Sequence, residues 1–139
     1  MSLEAKRAAL RAAFADLPDD EERLRQVLQW GRRSPALALV EKTDARLLPG
    51  CISNLWFIDE YADGVCRFRF DADSQIVRGV AALVCGFYDG ESAAAIVACP
   101  PDALDELGLR RLLTANRSNS LSTLASRIRA FAALHLNSS

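Results

Sequence analysis

The chain has 139 residues, the size of one domain around one core, so a single domain spanning 1–139 is expected. Half of the residues are apolar and a quarter are charged, which excludes wholesale disorder, and no apolar run reaches the ~18 residues a membrane span needs. The net charge of −1 lacks the positive excess of proteins that bind nucleic acid by neutralising phosphates.

The start of the chain, Met1 to Arg7, is charged and has no apolar signal core, which predicts a cytoplasmic rather than a secreted protein. Leu3, Leu10, Phe14 and Leu17 then recur at helical spacing until Pro18. Asp19 or Asp20 caps a second helix, whose Glu21 and Glu22 suit its positive end; it carries Leu24, Val27 and Leu28 and ends near Gly31. Ser34-Pro35 opens a short helical turn reaching Val40, and Glu41 to Asp44 reads as a polar loop. Arg46-Leu47-Leu48 reads as a short edge strand stopped by Pro49. Leu55 to Ile58 is apolar on both faces and predicts a strand buried on both sides. Asp63-Gly64 is a two-residue hairpin turn of the primed type, and Val65 to Phe70 returns with Cys66, Phe68 and Phe70 inward and Arg67 and Arg69 outward.

A helix with a wide apolar face follows, capped by Asp73 or Ser74 and carrying Ile76, Val77, Val80, Ala81, Val84, Phe87 and Tyr88 to Asp89-Gly90. Short helices are predicted over Ser92–Val97 and Ala103–Leu107, a polar loop over Leu113–Ser120, and a last helix with Leu121, Leu124, Ala125, Ile128, Phe131 and Ala132 on one stripe. Asn137-Ser138-Ser139 is a frayed tail. The order predicts an α+β domain: a small antiparallel sheet of about three strands with helices packed from both flanks of the sequence.

The chemistry must come from side chains. Cys51, Cys66, Cys85 and Cys99 are widely spaced without a Cys-x-x-Cys pair, so neither a zinc site nor any other metal site is expected, and in a reducing compartment the four are free thiols. Cys66, Cys85 and Cys99 lie in apolar contexts and read as small core hydrophobes. Cys51 follows the turn Pro49-Gly50 and precedes Ser53-Asn54, which makes it the accessible thiol. A cysteine that attacks an amide or ester usually has a histidine base. The one histidine, His135, is expected exposed on the last turn of a helix. A histidine-free thiolate can still attack the terminal sulfur of a persulfide, by the logic of thiol–disulfide exchange.

Four segments then resemble the SufE/CsdE family of sulfur acceptors for cysteine desulfurases. Pro49-Gly50-Cys51-Ile52-Ser53-Asn54-Leu55-Trp56 is similar to the family's Gly-Cys-x-Ser-x-Val-Trp block. Asp71 to Gly79 is similar to its Asp-Ser-Asp-Ala-x-Ile-Val-Lys/Arg-Gly block. Tyr88-Asp89-Gly90 and Leu113 to Leu121 follow in order. Ile52, Ser74, Ala115 and Ser120 depart from the usual residues. The resemblance implies a SufE/NifU-like fold in which Cys51 takes persulfide sulfur from a pyridoxal-phosphate cysteine desulfurase of the SufS/CsdA kind. It also implies that the chain stimulates that enzyme and passes sulfur to an iron–sulfur scaffold. The pyridoxal phosphate belongs to the desulfurase, so this chain itself is expected to bind no cofactor, metal, nucleic acid or membrane, and to be a monomer or weak dimer.

In that frame Gly50, Ser53 and Trp56 support the loop, though turn chemistry alone explains Ser53 and core packing alone explains Trp56. Asp71, Asp73, Arg78 and Arg117 are candidate partner contacts. Against that role, Asp73 is favoured as a helix cap and the two arginines have an ordinary surface reading. Two other functions compete: an adaptor that activates a desulfurase without carrying sulfur, and a thiol peroxidase or redox sensor, which ranks last for want of a resolving cysteine.

Overall fold

The computed structural model describes residues 2–51 and 53–137. Ile52, Met1 and the end of the predicted frayed tail, Ser138 and Ser139, lie outside the described residues. Helix α1 (Leu3–Ala15) starts at Ser2, whose hydroxyl accepts the Ala5 amide, and it buries Leu3 and Phe14. Helix α2 (Asp20–Arg33) starts at Asp19, whose carboxylate accepts the Glu22 amide at 2.9 Å. Three acids in its first turn and Arg32 and Arg33 in its last oppose the helix dipole.

The helical turn expected from Ser34 to Val40 does not form. Pro35 disfavours the helical conformation at the preceding residue, and Ser34 is extended at ψ 141°. Residues 34–38 run extended into two short 3₁₀ turns, Leu39–Glu41 and Asp44–Arg46, which overlap the two ends of the expected polar loop. The second turn and Pro49 leave Leu47 and Leu48 too little length for a strand. The expected edge strand shrinks to one bridge, Leu47 to Trp56, and the sheet has two strands rather than three.

Those strands are β1 (Leu55–Ala62) and β2 (Val65–Ala72), antiparallel with Ala62 opposite Val65 and Leu55 opposite Ala72. Asp63 and Gly64 both take positive φ, 55° and 80°, as the primed turn requires. Cys66, Phe68 and Phe70 point into the core with Leu55 and Phe57. Burial of β1 on both faces is not observed: Trp56 and Ile58 are half-buried, because only residues 37–48 cross that face.

Helix α3 (Gln75–Tyr88) is the centre of the molecule, with nine of its fourteen residues buried. Its cap is Ser74, whose hydroxyl accepts the Val77 amide, and not Asp73. One face lies on the sheet and another on α2. Helix α4 (Ala93–Ala98) is capped by Ser92, and the Arg129 guanidinium donates to the Cys99 carbonyl beyond its end. The helix expected over Ala103–Leu107 shortens to a 3₁₀ turn, Asp105–Leu107, closed by Gly108 at φ 72°. A further 3₁₀ turn, Leu109–Leu112, leads to helix α5 (Ala115–Leu134). The predicted loop over Leu113–Ser120 is therefore mostly helix. Its polar side chains face outward, while Ser120 joins the buried stripe of Leu121, Leu124, Ile128 and Ala132 by bonding its hydroxyl to the Asn116 carbonyl.

Helices α2 and α3 touch backbone to backbone at Gly31 and Gly79. A Cβ built on Gly31 would stand 2.7 Å from the Gly79 nitrogen, and one on Gly79 would strike the Val27 carbonyl. Gly79→Ala is expected to raise helix propensity yet destabilise the protein by about 1–3 kcal/mol through overpacking, read as a lower urea midpoint at unchanged m-value.

Candidate functional site

Burial sets Cys66 and Cys85 apart from Cys51 and Cys99, and all four are free. Cys66 on β2 and Cys85 in α3 are fully enclosed, and burial pushes both thiols up, Cys85 strongly. Cys99 is half-buried at the end of α4 rather than in the core; burial raises it too, against the opposing pull of Arg7 and Arg129. It contacts Tyr88, whose hydroxyl burial pushes up to about 12. All three are disfavoured as thiolates. Cys51 is half-buried at the margin of the core, on the loop between the Leu47 bridge and β1.

That loop is tied at both ends. The Leu48 amide donates to the Leu55 carbonyl at 2.9 Å and closes its base. Gly50 adopts φ 86° with no atom within 4 Å of where a Cβ would stand, so glycine is needed there for conformation and not for space. On the far side the Asp73 amide donates to the Asn54 carbonyl at 3.1 Å, and the Asn54 side-chain amide donates to the Asp73 carboxylate at 2.9 Å. Asp73, expected as a helix cap or a partner contact, thus fastens the cysteine loop to the end of β2. Ser53 lines a cavity of about 250 Å³ with Val77, Thr114, Asn116, Arg117 and Ser120. The half-buried Arg117 also borders a second cavity of about 320 Å³ against α2, and no hydrogen bond or ion pair engages its guanidinium among the described residues.

Asp71 and Arg78 face inward. Asp71 is 4% exposed. Its Oδ1 accepts from the Ala72 amide and from Arg78 Nε at 3.0 Å; its Oδ2 accepts from the Leu37 amide at 3.0 Å and pairs with Lys42 Nζ at 3.3 Å. Arg78 donates further to the carbonyls of Gly31 and Ser34, capping the end of α2. Burial raises the Asp71 carboxyl, but the two amides, Lys42 and Arg78 together hold it below the ordinary carboxylate range. The Lys42 ammonium stands 5.2 Å from the centre of the Trp56 ring, a cation–π contact that holds Trp56 over the loop base. Lys42 has no sequence signal beyond its place in a polar loop. The cavity residues Thr114 and Asn116 were hidden in the segment read as another loop.

His135 is half-buried rather than exposed, stacked on Tyr61 at 4.5 Å and packed against Phe131 at 4.6 Å. Tyr61 lies near the hairpin turn and Cys51 lies beyond the opposite end of β1, about 20 Å away at the rise of a strand. His135 is therefore no base for Cys51. Among the described residues no cluster of His, Cys, Asp or Glu could hold a metal ion, and no helix is long and apolar enough to cross a membrane.

A family model described as the SufE, Fe-S metabolism associated domain matches residues 8–132. The chain is 38% identical over 121 residues to the sulfur acceptor protein CsdE of Escherichia coli (strain K12), covering 86% of this chain and 82% of that protein. It is 33% identical over 121 residues to a SufE-like protein of Rhizobium etli, covering 84% and 82%. A solution structure of a hypothetical protein from Thermus thermophilus superposes with a TM-score of 0.76 at 21% identity, over 99% of this chain and all of that one, and shares the fold.

The Asp71 network sets a pH dependence. A carboxyl held below its ordinary value of about 3.9 stabilises the fold above that value and stops doing so as pH falls through the lowered one. Wild-type stability is expected to decline from about pH 5 to pH 3 in urea titrations. Asp71→Asn, which leaves Arg78 uncompensated, is expected to cost about 3 kcal/mol at pH 7 and less at pH 3.

Proposed function

This chain belongs to the SufE family, the Fe-S metabolism associated domain, and on that footing we propose that it is a sulfur acceptor that carries sulfur as a persulfide on Cys51. The observation that carries the reading is the contrast among the thiols. Cys51 sits on a loop tied down at both ends, whereas Cys66 and Cys85 are enclosed in the core and Cys99 closes helix α4. The donor is a pyridoxal-phosphate cysteine desulfurase, which brings the cofactor and a persulfide on its own cysteine. The Cys51 thiolate attacks the terminal sulfur of that persulfide. The bond from the donor's Sγ to the terminal sulfur breaks, a bond from Cys51 Sγ to that sulfur forms, and the donor leaves as a thiolate. Nothing is oxidised or reduced overall, so neither a metal nor a histidine base is required.

Because Cys51 is half-buried, a turn of the loop about its anchored ends accompanies docking. Clearing the donor's cysteine stimulates the desulfurase, and the Cys51 persulfide passes its sulfur to an iron–sulfur scaffold in the reducing cytoplasm.

The test is mass spectrometry of the chain after incubation with the desulfurase and L-cysteine. One added sulfur at Cys51, removed by reductant and absent from Cys51→Ser, is the expected result, with stimulation lost in that variant. Stimulation kept by Cys51→Ser, with no sulfur on the wild-type chain, would make the protein an adaptor instead.

A further inference from the structure

The run from Pro35 to Val40 holds six apolar residues without a charge, and only Leu37 is buried. Pro35, Ala36 and Ala38 are exposed or nearly so; Leu39 is 85% and Val40 83% exposed, the two most exposed large hydrophobic side chains among the described residues. Scattered surface leucines need no explanation, but a charge-free run with five of its six apolar residues exposed does.

This run is not slack chain. The Leu37 amide is fixed on Asp71, and the Ala38 amide donates to Glu41 Oε1 at 3.1 Å. Glu41 in turn pairs with Arg69 of β2 at 2.8 Å, and Arg46 donates to the Glu41 carbonyl. The turn is therefore pinned on both sides, with its two apolar side chains held in water at the crest. Of the charges beside it, Glu41 pairs with Arg69 and Lys42 with Asp71 within the chain, and Arg46 is turned onto the Glu41 carbonyl. Two fully projecting apolar side chains fit an apolar recess on a protein rather than a small ligand.

The strap that carries the crest runs straight into the cysteine loop. Lys42 lies over Trp56, Leu47 bridges Trp56, and Leu48 closes the loop base on Leu55. A standard protein interface buries about 800 Å² on each partner, a footprint about 30 Å across. Two side chains fill little of that area, whereas the crest and the Cys51 loop, at one end of the hairpin, fall within a single footprint.

We propose that Leu39 and Val40, with Ala36 and Ala38 around them, form a docking surface for the desulfurase that charges Cys51, and that this enzyme carries an apolar recess beside its persulfide-bearing segment. The proposal rests on the sulfur-acceptor reading for the identity of the partner.

The experiment compares the full chain with Leu39→Asp/Val40→Asp and the milder Leu39→Ala/Val40→Ala, checking each for an unchanged melting temperature. Binding to the desulfurase of the same organism is measured by calorimetry, and charging of Cys51 is followed with that enzyme and, separately, with sodium polysulfide. The aspartate pair is expected to weaken binding and raise the KM for enzymatic charging about tenfold or more, with the alanine pair intermediate and polysulfide charging unchanged. Unchanged binding overturns the proposal, as does a wild-type chain that does not bind the enzyme. Equal loss with both donors also overturns it, by tracing the effect to the loop instead of to docking. So does an effect confined to self-association in sedimentation, which would assign the crest to a second copy of this chain. A wild-type chain that binds without taking sulfur would refute the acceptor reading alone, and the binding loss would still decide the docking surface.

Discussion

The Asp71 carboxylate is the constraint on which the arrangement depends. It lies at the end of β2, where α3 begins, α2 ends and the strap from residue 34 to residue 48 crosses the sheet, and it bonds or pairs with all but one of these directly. Arg78 carries the remaining link, from Asp71 to the end of α2. Burying a carboxylate is costly unless its oxygens are fully engaged, and here two amides and two cations engage both of them. The result is a fixed platform from which the strap runs into the cysteine loop.

The close contact of Gly31 with Gly79 serves the same end. By letting α2 and α3 meet backbone to backbone, it brings the Gly31 carbonyl within reach of Arg78, so helix packing and the polar network position each other. A network of this kind specifies one arrangement, because sliding either helix would break charged bonds that nothing else can replace. The cysteine loop is anchored beside that platform. It is short, its glycine has positive φ, and its backbone is tied at its two ends.

Chemistry and architecture agree in what they leave out. Sulfur exchange between thiols needs an attacking thiolate, a good leaving group and exclusion of oxidant, and none of these requires a catalytic dyad. The only histidine stacks on Tyr61 at the far end of the hairpin. Burial raises the other three thiols, and Cys66 and Cys85 pack as core hydrophobes. The exposed apolar crest and the cysteine loop are carried on one continuous strap.

Local signals in the sequence determined the hairpin, its primed Asp63-Gly64 turn, the inward set Cys66, Phe68 and Phe70, the long apolar helix after them and the singling out of Cys51. Each depends on residues close in the chain: turn chemistry, alternation and helical period. Four matching segments in order were also enough to identify the family. Tertiary structure alone decided the rest. Asp71 and Arg78 look like surface charges in sequence, yet Asp71 is buried and Arg78 half-buried because they find each other across a strand end and a helix start. Asp73 looks like a cap and instead holds Asn54, since Ser74 one residue later has the better geometry. The segment before Ser120 looks like a loop because its side chains are mostly polar, yet it is helical as the first turn of α5, whose buried stripe begins at Ser120 and Leu121. The third strand fails for lack of length between a 3₁₀ turn and Pro49. For Asp71, Arg78 and Asp73 the deciding partner lies outside the local window, where periodicity and propensity carry no information.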